Sequence, residues 1–179
     1  SMKSKKQELE NLLSEGRVLS LNTQLNSHFL HNVLNNIAEL IRIDNAKAEE
    51  ALIKLSRFFR KVLKEGELIE ISEELENVRN YIELENLRYN GLINLNILKE
   101  EKVKNIQIPR FSIQLLVENA IKHGFTGRAL NINISFDVFD SLCLIRVAND
   151  GKKIEDLKFG IGLTNLSKRL KLLCKGKVE

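Results

Sequence analysis

The sequence predicts an α+β protein: an N-terminal helical hairpin, then a mixed sheet covered by helices on one face. Three observations lead there. The first third has almost no helix breakers, with Gly16 the only glycine between Lys5 and Arg42 and no proline in that span. Apolar residues in it recur at spacings of three and four, as on one side of a helix. Further on, alternating stretches such as "LINLNILKE" interleave with helix-period stretches, the pattern of strands and helices mixed in one layered domain.

Each element can be justified in order. Leu30, Val33, Ile37 and Leu40 form the apolar seam of a first helix ending near Arg42. A second helix begins near Asp44 or Asn45, both good N-caps, carries the stripe Ala51, Leu55, Phe58 and Val62, and ends at Gly66. Two such helices form an αα-hairpin, and a lone hairpin cannot bury both of its faces. Dimerisation into a four-helix bundle is the expected completion. A third helix, "ISEELENVRNYIELENLRYNG", is expected to be capped by Ser72, with Glu73 and Glu74 in its first turn. "LINLNILKE" reads as a strand. "FSIQLLVENAIKHG" is a helix that follows Pro109, the only proline, and stops at Gly124. "ALNINISFDVFD" and "LCLIRVAND" form a hairpin around Asp140–Ser141, and adjacent strands are expected to pair antiparallel. "GIGLTNLSKRLKLL" opens with glycines and continues as a helix. The boundary is expected near Gly66–Ile71, giving a helical unit over 1–66 and a second domain over 67–179.

Composition narrows the function classes. The chain of 179 residues is 43% hydrophobic and 29% charged, the balance of a globular protein. No apolar run approaches the roughly 20 residues of a membrane-spanning helix, and no secretion signal is recognisable. The net charge of +4 is spread along the chain and aromatic residues make up 6%, so a nucleic-acid surface is not expected. Cys143 and Cys174 are far apart and read as reduced thiols with no metal role. The opening "SM" is expected to be a cloning remnant before an excised segment, and a membrane region is expected upstream of it in the parent protein.

"QLNSHFLHNVLNN" holds two of the three histidines, His28 and His31. At 100° per residue, His28 lies about 140–200° from Leu30, Val33 and Ile37, on a polar stripe with Gln24, Asn32, Asn35 and Glu39. His31 is about 60° away, at the border of that stripe. Zinc usually takes four ligands, and the neighbours are amides rather than cysteines, which argues against a metal pair. Two solvated helix histidines remain one reading. A nucleophile is the other, since a reachable imidazole can attack a phosphoryl group.

Three later segments look like pieces of one nucleotide pocket. In "LLVENAIKHG" the apolar face is Ile113, Leu116, Val117 and Ala120, with Asn119, Lys122 and His123 opposite. An amide oxygen can ligate Mg²⁺, and a lysine can neutralise phosphate. "RVANDGKKI" ends a strand with side-chain oxygens able to accept from an adenine amino group. "FGIGLTNL" sets Gly160 and Gly162 before a helix, where backbone N–H groups form an anion site. Taken singly, each also fits a bland reading: an amphipathic helix, an Asn-Asp-Gly turn, a flexible loop.

Together these segments resemble the cytoplasmic core of sensor histidine kinases of the LytS/YehU type, over about Leu21 to Leu173. "QLNSHFLHNVLN" is similar to that family's Gln-x-Asn-Pro-His-Phe-Leu-Phe-Asn-x-Leu-Asn box, "IQLLVENAIKHG" to its N box, "NDG" to its G1 box and "GIGLTNLSKRL" to its G2 box. Ser27 and Leu115 stand where the family has proline, and His31 stands where it has phenylalanine. Asn149-Asp150-Gly151-Lys152-Lys153 replaces Asp-Asn-Gly-x-Gly. The family pattern also continues with further strands after the position of Glu179.

The resemblance implies a GHKL-type (Bergerat) α/β sandwich binding ATP and Mg²⁺. It implies His28 as phospho-acceptor, Asn32 orienting the imidazole, and Glu118 assisting proton transfer. Asn119 would be the metal ligand. Lys122, His123, Asn149, Asp150, Gly151, Gly160, Ile161, Gly162 and Leu163 would surround the nucleotide, under a lid of roughly Lys152–Phe159. His31 would pack at the stripe's border. The expected function is ATP-dependent autophosphorylation followed by transfer to an aspartate of a response regulator. A homodimer would form through the hairpin, cytoplasmic and anchored through an upstream membrane region of the parent protein. A dimeric scaffold with a degenerate ATP site, or a GHKL serine kinase, are the alternatives.

Overall fold

The structure is a computed structural model that describes residues 27–64, 66–153 and 160–176. The chain divides into two units, residues 1–64 and 65–179. The expectations for the stretch before residue 27, for Gln24 and for most of the lid lie outside the described residues.

The first unit is an αα-hairpin of α1 (Ser27–Ile43) and α2 (Asn45–Val62). The Asp44 carboxylate accepts from the Lys47 N–H at 3.1 Å, so the expected cap forms and the connection is one residue long. Phe29, Val33 and Ile37 of α1 meet Ala48, Ala51, Leu55, Phe58 and Val62 of α2, all buried. Phe29 and Phe58 stack edge to face with centroids 5.5 Å apart. The seam therefore runs through Phe29, while Leu30 and Leu40 are only half-buried. The helix ends at Val62, a turn before Gly66, with Arg60 and Lys61 facing the negative end of its dipole.

The second unit begins with β1 (Leu68–Glu70), which runs straight into α3 (Ile71–Arg88). β2 (Ile93–Leu98), β3 (Gln107–Pro109), α4 (Ser112–Gly124), β4 (Leu130–Phe139), β5 (Leu142–Asn149) and α5 (Ile161–Cys174) follow. β1 and β3 pair antiparallel as a small separate ladder. The main sheet has the order β2-β4-β5. Its β4–β5 pair is the expected antiparallel hairpin, turned by Asp140 at a φ of 43°, which aspartate tolerates. β2 and β4 run parallel, correcting the expectation of antiparallel neighbours. The intervening α4 makes a crossover rather than a hairpin.

Strand alternation sorts the faces. Leu130, Ile132, Ile134 and Phe136 of β4 are at most 1% exposed and lie on the helix-covered face, where α4 packs on β4 and α3 on β2, each contributing roughly 1.5–3 kcal/mol by burial. The other face is polar: Asn94 Nδ2 donates to Asn131 Oδ1 at 3.1 Å, and Asn96 Nδ2 to Asn133 Oδ1 at 3.2 Å. One face is thus helix-covered, as the pattern predicts.

Ser72 does not cap α3. The N-cap is Glu70, without a side-chain bond to the helix, and Ser72 lies inside the first turn. The reason is the β1–β3 ladder, which brings the preceding chain alongside. The Ile71 N–H donates to the Ile106 carbonyl at 2.8 Å and the Ser72 N–H to that of Lys104 at 3.4 Å. Backbone carbonyls satisfy donors that a capping side chain would otherwise take.

Candidate functional site

His28 stands exposed in the first turn of α1, on the side away from Phe29, Val33 and Ile37. Asn32, one turn on, has its Nδ2 3.2 Å from His28 Nδ1. Asn35 and Glu39 continue the exposed polar stripe. His31 is also exposed, so it does not pack at a border within this unit as expected.

In the second unit, the end of α4 and the end of β5 are clamped together. The Lys152 N–H donates to the Gly124 carbonyl at 3.0 Å. The Gly151 N–H donates to Asn149 Oδ1, also at 3.0 Å. A Cβ on Gly151 would lie 2.1 Å from the Gly124 oxygen, and one on Gly124 would lie 2.5 Å from Asn149 Oδ1. Gly151 is needed for this close approach of two backbones, and Gly124 leaves room for the Asn149 side chain. Asp150 holds the start of β4, accepting from the Asn131 N–H at 2.8 Å and from Asn131 Nδ2 at 2.5 Å. The Asn131 bonds hold its carboxyl below the usual aspartate range.

Above the clamp opens a cavity of about 370 Å³, lined in part by Thr126, Arg128, Asp150, Gly151 and Lys152. Arg128 and Lys152 bring positive charge to it while the Asp150 carboxylate is engaged by Asn131, so the cavity suits an anion. Of the residues expected around a nucleotide, Asp150 and Gly151 line this cavity and Asn149 braces its floor. Asn119 is half-buried on α4, and Lys122 and His123 are exposed in its last turn. Gly160 is the exposed N-cap of α5, with no side-chain cap, and Ile161, Gly162 and Leu163 form the first turn. A Cβ on Gly160 would meet nothing within 4 Å, so packing does not demand glycine there. α5 lies against β3 and α4 and buries Leu166.

Glu118 is turned toward α3. Its Oε1 accepts from Gln114 Nε2 at 2.9 Å, and burial, with the charges of Glu85 and Glu74, pushes its carboxyl up to about 7. Such a group can exchange a proton near neutral pH.

The sequence reading missed a role for Glu74. It is fully buried, and its carboxylate accepts from the N–H groups of Phe111 (3.0 Å), Ile113 (3.0 Å) and Gln114 (3.2 Å). It therefore serves the N-terminus of α4 as well as sitting in the first turn of its own helix. A signal was present. Glu74 falls on the apolar stripe of α3, between Ile71 and Val78, where a solvated charge has no place.

Comparison with known proteins bears on these arrangements. A family model described as Histidine kinase matches residues 17–93. The sensor histidine kinase/phosphatase LytS of Staphylococcus aureus strain MRSA252 is 38% identical, over 89% of this chain and 31% of the relative. Its counterparts in strains Mu50 and COL match with the same identity and coverage. The chain thus spans about a third of the length of these curated relatives. His28 and Asn32 lie inside the residues that the Histidine kinase family model matches, and over most of its length the chain is similar to sensor histidine kinases of the LytS type.

Proposed function

We propose that this chain is the kinase core of a sensor histidine kinase, with His28 as the phospho-acceptor and a GHKL-type nucleotide site in the second unit. The observation that carries the reading is the clamp of Gly124, Asn149, Gly151 and Lys152. It joins the end of the N-box helix to the "NDG" turn beneath a cavity of anion-suited charge. Such a joint is what a nucleotide needs from two separate segments, adenine recognition on one side and phosphate contacts on the other.

His28 attacks through Nε2 when Nδ1 carries the proton. Asn32 must then present its oxygen to Nδ1, and a half-turn of the amide does this without moving any other atom. The Nε2 lone pair forms the new bond to the γ-phosphorus as the bond to the ADP oxygen breaks. Lys122 and the first-turn N–H groups at Gly162 and Leu163 neutralise phosphate charge. Asn119 offers a single neutral oxygen, the kind of donor that Mg²⁺ accepts when phosphates and water complete its shell. Bound there, Mg²⁺ would supply charge neutralisation across the phosphates. The Nδ1 proton, held by the Asn32 oxygen, then leaves to water, and Glu118 keeps only the assisting role in proton transfer that the resemblance implies.

The phosphoryl group then passes to an aspartate of a response regulator, as the relatives' description as sensor kinases suggests. Half-exposed stripes support a homodimer: Leu30, Leu34 and Ile41 on α1, and Leu52 and Phe59 on α2 with Leu63 at its C-cap. No described helix is long and apolar enough to cross a membrane. Anchoring in the cell membrane, with this region cytoplasmic, is part of the proposal for the longer parent.

Incubation with γ-labelled ATP tests the reading. Acid-labile label should appear on the wild type, vanish in His28→Gln and persist in His31→Phe. Equal loss in both variants sinks the assignment of His28. A second reading, a scaffold with a degenerate site, draws on Asn149 Oδ1 being engaged within the turn and the Asp150 carboxylate being engaged by Asn131 of β4. Absence of Mg²⁺–ATP binding by calorimetry would favour it.

A further inference from the structure

We infer that Glu74 is a positioning residue for the candidate nucleotide helix: from α3 it caps the N-terminus of α4 and so sets the register in which α4 presents Asn119. α4 lacks a cap of its own. Its N-cap residue is Phe111, which has no side chain able to accept a hydrogen bond and holds a left-handed backbone with φ 62° and ψ 16°. A non-glycine residue adopts that conformation at a cost, so something must hold it there.

Glu74 supplies the hold. Oε2 takes the Phe111 N–H, and Oε1 takes those of Ile113 and Gln114. The three donors are the ones a helix start leaves unsatisfied, and a carboxylate suits the positive end of the helix dipole. Around the carboxylate, Arg110 adds a positive charge, while Glu118 of α4 and Glu85 of α3 add negative ones to the same buried interface. The arrangement is reciprocal. Carbonyls of Lys104 and Ile106, just before α4, accept the first N–H groups of α3, and the Arg110 N–H donates to Glu67. Each helix start is tied to the segment that leads into the other.

A merely structural contact would lower stability and nothing else. A positioning contact alters what α4 presents. The consequence for nucleotide rests on the reading of α4 as the Mg²⁺–ATP helix, and the test separates the two. Glu74→Gln keeps shape and removes the charge, turning an NH₂ toward the Phe111 N–H. Glu74→Asp keeps the charge and shortens the reach. Both should weaken Mg²⁺–ATP binding about fivefold or more, the equivalent of losing a good cap. Exchange of the Phe111 amide should quicken, the side-chain amide resonances of Asn119 should shift, and Glu74→Gln should not lower the melting temperature at pH 8. Glu76→Gln, an exposed change on the same helix, should do none of these things. Unshifted Asn119 resonances in a folded Glu74→Gln protein overturn the inference, as does a loss of affinity matched by a loss of stability. If the wild type binds no Mg²⁺–ATP, the nucleotide reading fails while the exchange and resonance measurements still decide the role of Glu74.

Discussion

Gly151 and Gly160 look alike in the sequence, each a glycine beside a turn, yet their surroundings call for opposite behaviour. A Cβ at Gly151 would press on the backbone of Gly124, which has no freedom to yield. Gly151→Ala should destabilise the second unit by roughly 2–4 kcal/mol and abolish nucleotide binding, read from urea midpoints and calorimetry. Gly160→Ala meets open space at a φ of −70° and should stay within about 0.5 kcal/mol of wild type. Equal effects would contradict the clamp. Glu74 makes a second residue-scale prediction. Burial pushes its carboxyl from the ordinary 4.5 up to about 7, against the opposing pull of the three N–H bonds and Arg110. The folded state thus binds this proton more tightly than the unfolded chain. The contribution is fully present below about pH 4.5 and is lost as pH rises through about 7. Between pH 5 and 8 it should take about 2–3 kcal/mol from folding stability, and Glu74→Gln should remove that part of the slope.

At the scale of elements, the long helices and the β4–β5 hairpin were legible because their apolar periods are unambiguous. β1 and β3 were not. Each has three residues and exists only because the other pairs with it, so no local pattern marks either one. That hidden ladder also explains the error at Ser72, whose expected capping task is taken by carbonyls of distant residues. Ser72→Ala should therefore cost less than about 0.5 kcal/mol, not the ~1 kcal/mol of a true N-cap, in urea unfolding. The site was legible to the same degree. "NDG" was visible as a turn, but the bracing of Asn149 against Gly151 and the tie of Asp150 to Asn131 depend on β4 lying alongside. Asn131→Ala removes the side-chain part of that tie. The Asp150 carboxyl should then rise toward its ordinary value, measurable by carboxyl NMR.

For the whole molecule, the decisive question is what covers the half-exposed stripes of the hairpin. Phe29, Val33, Ile37 and their partners on α2 already fill the space between the two helices. Leu34 at 38%, Ile41 at 53% and Leu52 at 45% exposure flank that core rather than complete it. Spacings of seven from Leu34 to Ile41 and from Leu52 to Phe59 give straight apolar seams, which in a two-helix unit have no second layer to meet. A second copy offers the same seams in a self-complementary arrangement, as a two-fold interface requires. Ile41→Glu or Leu52→Glu would set like charges into such a seam twice, once from each protomer. Either change should turn a dimer into a monomer in sedimentation equilibrium while leaving far-UV helicity intact, because neither side chain belongs to the hairpin's own core. Phe58→Ala, which empties that core, should instead cost about 3–5 kcal/mol and lose helicity with it. A wild type that sediments as a monomer at tens of micromolar would refute the dimer, and the apolar seams would then need a different partner.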